Sequence, residues 1–126
     1  MNKNEILLLF NDWNNALKTK TAKNVVALYA QDALLLPTIS NKVCRNHAEI
    51  EAYFTNFLIR EPVGQINEAN IKIFNDLAIN SGIYTFSFHD KSSIQARFTF
   101  IYRWNGERWM IIKHHSSQMP EPIMIT

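Results

Sequence analysis

Two adjacent histidines, His114 and His115, are the residues whose type first suggests chemistry. A metal site is the obvious use for such a pair. Both lie in a segment that alternates like a β-strand, and neighbouring side chains of a strand point to opposite faces, so the two cannot readily bind one ion. The sequence therefore predicts no metal site. It places His114 on one face of the last strand together with Met110, Ile112 and Ser116.

Arg97 stands between Ala96 and Phe98 in an otherwise apolar and aromatic segment. A buried guanidinium without a partner is unfavourable, so it must pair with a carboxylate or reach water. Two interpretations stay open. Arg97 is either a cation at the floor of a pocket that binds a carboxylate-bearing ligand through two parallel hydrogen bonds, or a residue in a structural ion pair or at a solvated edge.

Three aromatic residues complete the candidate site. Tyr84 and Tyr53 carry a hydroxyl at the end of an apolar side chain, and each is either a ligand contact or a core tyrosine with an internal partner. Trp13 is either a pocket wall or part of the core. The candidate ligand-binding residues are Arg97, His114, Ser116, Tyr84, Tyr53 and Trp13.

A catalytic role would need a carboxylate beside these groups. A steroid-isomerase type of base would follow the first strand, where residues 37–40 read PTIS without a carboxylate. A histidine-based dehydratase or cyclase would need His114 oriented by an acid, for which Asp12, Asp32 and Asp76 are candidates. The sequence contains no Gly-x-Gly-x-x-Gly segment, so no dinucleotide cofactor is predicted, and no catalytic residue is assigned.

The composition is that of one folded domain. The 126 residues include 47% hydrophobic and 19% charged residues, which is typical of a globular protein and leaves no room for a second core. The net charge of +2 comes from scattered Lys and Arg, so no nucleic-acid partner is predicted. Cys44 is the single cysteine, so no internal disulfide forms. The apolar run Ile6 to Phe10 is too short for a signal peptide or membrane span, and a cytoplasmic location without a membrane partner is expected.

The first half of the chain is predicted to be mainly helical. Asn2 with Glu5, and Asn46 with Glu49, have the form of capping boxes, and Thr21 can cap a short second helix. Apolar residues then recur at helical spacing in three segments, Ile6 to Leu17, Ala22 to Tyr29 and Ile50 to Leu58. A short strand, Leu34 to Leu36, ends at Pro37.

From Gln65 onward the apolar period changes to two, and Asn105-Gly106 is a strong hairpin signal. Helices followed by such strands predict an α+β domain, with the helices on one face of an antiparallel sheet. The strand ending at Trp104 has an aromatic face and a mixed face with Arg97 and Arg103. If the helices cover the mixed face, the aromatic face needs a second copy of the chain to cover it, and this arrangement is favoured. The alternative is a coiled sheet that folds its aromatic face into its own core.

Several segments resemble one superfamily over nearly the whole chain. The more specific ones are LLPTIS at residues 35–40 and HHSSQMPE at 114–121; WNNAL at 13–17, YFTNFL at 53–58 and ARFTFIY at 96–102 support them. The chain resembles the nuclear transport factor 2-like superfamily, which includes SnoaL-like cyclases and steroid delta-isomerase. Within it, the likeness is greatest to bacterial relatives of the calcium/calmodulin-dependent protein kinase II association domain, often labelled SgcJ/EcaC-type.

The resemblance implies one cone-shaped domain over residues 1–126, with helices packed on a curved antiparallel sheet around a pocket. It implies a homo-oligomer, at least a dimer formed sheet to sheet and in the kinase domain a larger ring, that binds a small, anionic molecule without a cofactor. In that domain the positions matching Ser116 and Tyr84 are pocket arginines, which favours a pocket-facing Ser116 and His114 and tips Arg97 towards the pocket. The alternative is a cofactor-free SnoaL-like enzyme that uses His114 as acid or base.

Overall fold

The computed structural model describes residues 2–121, so the predicted domain of residues 1–126 extends at both ends beyond the described part. In chain order the elements are α1 (Lys3–Lys18), α2 (Ala22–Val26), β1 (Tyr29–Leu36), α3 (His47–Phe57), a 3-10 turn (Leu58–Arg60), β2 (Val63–Phe74), β3 (Leu77–Ser87), β4 (Ser93–Trp104) and β5 (Trp109–Gln118). The predicted α+β class is confirmed.

Both longer helices begin at the asparagines that the sequence predicts. The Asn2 side chain accepts a hydrogen bond from the Glu5 backbone N–H at 2.9 Å, and the Asn46 side chain does the same for Glu49. The Glu49 carboxylate accepts from the Arg45 backbone N–H, one residue before the cap. These bonds satisfy amides that a helix leaves without partners in its first turn, which fixes where α1 and α3 start.

The sheet has the order β1-β5-β4-β3-β2, and it is mixed because β1 runs parallel to β5 while the other pairs are antiparallel. The predicted strand Leu34 to Leu36 is only the end of β1. The helical spacing of the segment Ala22 to Tyr29 predicts that Tyr29 belongs to the second helix. In the structure α2 ends at Val26, and Tyr29 pairs with Ile111 of β5. Backbone pairing with the sheet therefore overrides the helical spacing at this position.

The aromatic face of β4 points inward. Phe98, Phe100 and Tyr102 are buried, and Phe100 packs against Trp13 of α1 with ring centroids 5.5 Å apart. The favoured arrangement, in which a second copy covers the aromatic face, is wrong, and the alternative is correct. The helices cover these rings because that burial removes the largest apolar area on the sheet from water. Arg97 is consequently on the outer, solvent-exposed face.

A β-bulge in β5 changes which residues accompany His114. Ile112 has no partner on β4, because the register shifts between the neighbouring pairs. An unpaired residue moves the side chains before it to the other face. Ile111 therefore joins His114 and Ser116 in the interior, and the predicted grouping of His114 with Met110 and Ile112 is wrong.

Within the described residues, none of the helices combines the length and apolar character needed to cross a bilayer.

Candidate functional site

His114 lies at the centre of a chain of buried hydrogen bonds. Its Nδ1 atom is 2.8 Å from the Tyr29 hydroxyl, and its Nε2 atom is 3.2 Å from the Tyr84 hydroxyl. The indole N–H of Trp13 donates to the Tyr29 hydroxyl oxygen at 3.1 Å. His114 is 2% exposed, and its ring stacks on Phe100 with centroids 4.0 Å apart. The imidazole is thus held from both nitrogens and one face.

The chain of hydrogen bonds continues from Tyr84 towards the surface. The Tyr84 O–H donates to Ser116 Oγ at 2.5 Å, and the Ser116 hydroxyl is hydrogen-bonded to that of Thr38. Because the Tyr84 O–H proton is engaged with Ser116, the Tyr84 hydroxyl oxygen accepts a hydrogen bond from the Nε2–H of His114. A neutral imidazole carries one N–H, so Nδ1 of His114 accepts from the Tyr29 O–H. Thr38 is half-buried and is the outward end of this buried polar chain, which runs Trp13, Tyr29, His114, Tyr84, Ser116, Thr38.

Burial keeps these groups uncharged. Loss of hydration is the main cause that lowers the pKa of His114 to about 3, and the nearby His115 lowers it further. Burial also raises the pKa of Tyr29 and of Tyr84 well above the usual value of a phenol. At neutral pH the buried polar chain therefore offers oriented hydrogen bonds and no formal charge.

The space around the buried polar chain divides into an inner recess and an outer cleft. The recess beside Trp13, Tyr84 and His114 has about 10 Å³ of free space, roughly the volume that a single water needs. Tyr53 and Phe57 line both the recess and an outer cleft of about 420 Å³. A molecule larger than water therefore fits the outer cleft, with these two rings between it and His114.

The outer cleft carries cations on its wall. Arg60 lies over the Phe88 ring at 3.7 Å, and among residues 2–121 no carboxylate is within ion-pair distance of its guanidinium. Lys42 is 3.8 Å from Glu49, a loose ion pair. Burial raises the pKa of Tyr53, so its hydroxyl is a neutral donor.

Comparison with known proteins places this geometry in a family. The family described as the calcium/calmodulin dependent protein kinase II association domain matches residues 2–120. The chain belongs to this family. A search of curated protein sequences gave no significant match.

Solved structures agree with this association-domain assignment. The chain is 42% identical to a putative calcium/calmodulin dependent protein kinase II association domain from Xanthomonas campestris, covering 97% of this chain and 91% of the other, with a TM-score of 0.93. A nuclear transport factor 2-like protein of unknown function from Pseudomonas putida KT2440 is 21% identical over 91% and 84% of the two chains, with a TM-score of 0.79.

A putative dehydratase of the same superfamily, from Streptomyces avermitilis, is 11% identical over 94% and 96% of the chains, with a TM-score of 0.77. These last two likenesses show that the chain has the predicted nuclear transport factor 2-like fold.

Five of the six sequence-predicted site residues meet in this association domain. Trp13, Tyr84, His114 and Ser116 belong to the buried polar chain, and Tyr53 lies where recess and cleft meet. Arg97 does not join them. It is exposed on the outer face, because alternate residues of β4 point away from the interior, so its predicted position at a pocket floor is not observed.

The sequence did not reveal four further residues. Tyr29 lies in a segment whose apolar spacing predicts a helix, so it was not assigned to a strand. Thr38 lies in the LLPTIS segment that carries the resemblance, but it is uncharged and was not singled out as a site residue. Arg60 lies after α3, and Lys42 lies in the loop before it. No apolar period covers either position, so the sequence does not predict where these side chains point. The LLPTIS segment is the signal that points to Thr38.

Among residues 2–121, no carboxylate is hydrogen-bonded to His114 to support acid–base chemistry. Its two ring nitrogens are both hydrogen-bonded to tyrosine hydroxyls, and its pKa is low, so it is a neutral imidazole with both nitrogens engaged. Among residues 2–121 there is also no cluster of three or more His, Cys, Asp and Glu side chains suited to a metal. The buried polar chain therefore holds its hydroxyl and imidazole groups in fixed positions and orients their hydrogen bonds.

Proposed function

We propose that the protein is a self-assembling domain whose outer cleft holds a small anionic molecule. Arg60 carries the ligand half of this proposal: its guanidinium has no carboxylate within ion-pair distance among residues 2–121, and it borders a cleft of about 420 Å³. A guanidinium in this position can donate two parallel hydrogen bonds to a carboxylate. Tyr53 and Lys42 supply further donors at the same wall.

The outer face of the sheet supports the assembly half. Ile79, Ile83 and Ile101 lie together across β3 and β4 and are half-buried, with the exposed Arg97 and Arg103 beside them on the same face. A group of isoleucines on an uncovered sheet face is a typical contact between copies of a chain. Membership in an association-domain family favours the same use of this face.

Titration with small carboxylates tests ligand binding. We expect aliphatic monocarboxylates from acetate to hexanoate to shift backbone amide NMR signals around Arg60 and Tyr53 saturably, with matched neutral alcohols having little effect. The variant Arg60→Gln should weaken binding by about tenfold or more, since a charge-assisted pair is lost.

Arg97→Gln is the matched control, because Arg97 carries the same charge on the opposite side of the sheet. It should leave the affinity unchanged. Loss of binding in Arg97→Gln but not in Arg60→Gln, or no saturable shift with any carboxylate, would contradict the proposed cleft.

Sedimentation of the unmodified protein at two concentrations tests assembly separately. We expect a species of at least two copies. A clean monomer at both concentrations would exclude the assembly half and leave the ligand half standing.

A further inference from the structure

A further cavity lies apart from the recess and the outer cleft. It has a volume of about 370 Å³ between α1 and the β4–β5 hairpin, and none of its lining residues borders the recess or the outer cleft. The aromatic rings of Tyr102, Trp104 and Trp109 form part of its wall, and the two indoles meet edge to face with centroids 5.7 Å apart.

The charge of this cavity is negative. Glu5, Asp12 and Glu107 line it, against one cation, Arg108. Within residues 2–121 no side-chain nitrogen of Lys, Arg or His lies within 4 Å of an oxygen of these three carboxylates. Glu5 accepts one long hydrogen bond, at 3.4 Å, from the Trp109 indole. Carboxylates beside aromatic faces make a potential that favours a cation.

A buried hydroxyl at the cavity wall also lacks a partner. Tyr102 is 2% exposed, and its hydroxyl has no hydrogen-bond partner among the described residues. Burial is the main cause that raises the Tyr102 pKa, and the negative charge of Asp12 raises it further, so the hydroxyl lies within the field of that carboxylate. A buried hydroxyl is normally hydrogen-bonded. The Tyr102 oxygen is closed off from the cavity in this structure, so a small rotation of its side chain would let it accept an N–H from a ligand.

We propose that this cavity binds a small organic cation carrying N–H donors, an ammonium or guanidinium group on a short apolar chain. The carboxylates supply the charge, the indole and phenol rings contact the apolar chain and the cation, and the Tyr102 hydroxyl accepts one N–H. This site is separate from the anion site proposed above, and it has the opposite charge preference.

Indole NMR signals of the full chain provide the test, because two of the three tryptophans line this cavity and Trp13 lies elsewhere. With n-butylammonium or n-butylguanidinium as probe, we expect saturable shifts of the Trp104 and Trp109 indole signals and no shift for Trp13. The neutral n-butanol should give a weaker response, and tetramethylammonium, which has no N–H, should bind less tightly than n-butylammonium.

Three variants separate the contributions. Asp12→Asn with Glu107→Gln should weaken n-butylammonium binding by about tenfold, since two carboxylates are neutralised. Tyr102→Phe should weaken it by about fivefold, with the fold retained because the hydroxyl has no hydrogen-bond partner in residues 2–121. Arg108→Gln removes the opposing charge and should tighten binding by about twofold. Glu51→Gln, a carboxylate on α3 that does not line this cavity, is the matched control and should change nothing.

Several results would overturn the proposal: no saturable shift with either cation, an equal response to n-butanol, tighter binding of tetramethylammonium, or unchanged affinity in the double variant. If the double variant changes the sedimentation of the protein while no cation shifts the indole signals, the cavity is a contact between proteins. That result would also overturn the proposal.

Discussion

At the scale of single residues, His114 links the stability of the fold to pH. Burial lowers its pKa to about 3, whereas an unfolded histidine titrates near 6.5. Between these values the unfolded chain binds a proton that the folded chain does not, so the free energy of unfolding falls as pH falls. The contribution of His114 is complete above pH 6.5 and is lost progressively below it.

The variant His114→Gln should therefore flatten this pH dependence. We expect the wild-type free energy of unfolding to fall between pH 6.5 and pH 5 by up to about 1.4 kcal/mol per pH unit more than that of the variant. Urea unfolding at pH 7.5, 6 and 5 measures the difference. The control His115→Gln changes the next residue, on the exposed face, and should keep the wild-type dependence of the unfolding free energy on pH. Equal pH dependence in wild type and His114→Gln would contradict the proposed effect of His114 burial on stability.

Asn80 is a second residue whose burial has a consequence for stability. It is 0% exposed on the inner face of β3, and neither its amide nitrogen nor its amide oxygen has a hydrogen-bond partner in the described chain. We expect Asn80→Leu, a similar shape without polar atoms, to raise the free energy of unfolding by about 1–2 kcal/mol.

Asn14→Leu is the matched control for Asn80→Leu. The Asn14 side chain makes two hydrogen bonds with the backbone of Gly64, at 3.0 and 2.8 Å, so the same substitution should destabilise there. Thermal unfolding of both variants measures the signs. A destabilised Asn80→Leu would show that the Asn80 amide contributes hydrogen bonds to the folded state.

At the scale of elements, irregularities in two strands decide which side chains reach the interior. The bulge at Ile112 places Ile111 on the same inner face as His114, and a second register shift, at Asn67, interrupts the pairing of β2 with β3. Opposite that shift a β-carbon on Gly82 would be 1.9 Å from the Glu68 carbonyl oxygen. Glycine is needed here because two backbones approach too closely for any side chain.

Gly82→Ala should consequently destabilise the protein by about 3 kcal/mol or more, because backbone atoms must move to admit the methyl group. Gly106→Ala is the control. Gly106 has a φ of 103°, and apart from its two chain neighbours no described residue comes within 4 Å of a β-carbon built on it. Its substitution should therefore cost only about 1 kcal/mol through backbone strain. Chemical denaturation of the two variants gives the comparison, and equal losses would show that crowding at Gly82 is relieved without cost.

At the scale of the whole molecule, the two faces of β4 predict opposite results for the same kind of substitution. Ile101→Glu places a charge on the outer face, and we expect a folded chain with a smaller sedimentation coefficient than the wild type. Phe100→Glu places it between His114 and Trp13, where an unpaired buried charge should prevent folding. Circular dichroism with sedimentation distinguishes the outcomes; a folded, dissociated Phe100→Glu would reverse the assignment of the faces.

Much of this protein could be predicted from local patterns in its sequence. The helix starts at Asn2 and Asn46, the hairpin after Trp104 and the α+β class follow from caps, turns and apolar periods, which are properties of short segments. The LLPTIS and HHSSQMPE segments led to the association-domain family that the whole-chain match shows. His114, Ser116 and Tyr84 do lie together in the structure, and their use in ligand binding stays a prediction. The bulge in β5 made the predicted grouping of their neighbours wrong.

The tertiary structure alone decided which face of the sheet the helices cover. Both faces of β4 are locally plausible interiors, and the choice depends on the total apolar area buried against α1 and α3, which no short segment contains. That choice moved Arg97 to the exterior, brought Tyr29 and Thr38 into contact with His114 and Ser116, and left Arg60 beside the open cleft. The sequence by itself determined the elements and the family. The packing of distant elements determined the site, because contacts such as the one between Tyr29 and His114, which are 85 positions apart, depend on the fold as a whole.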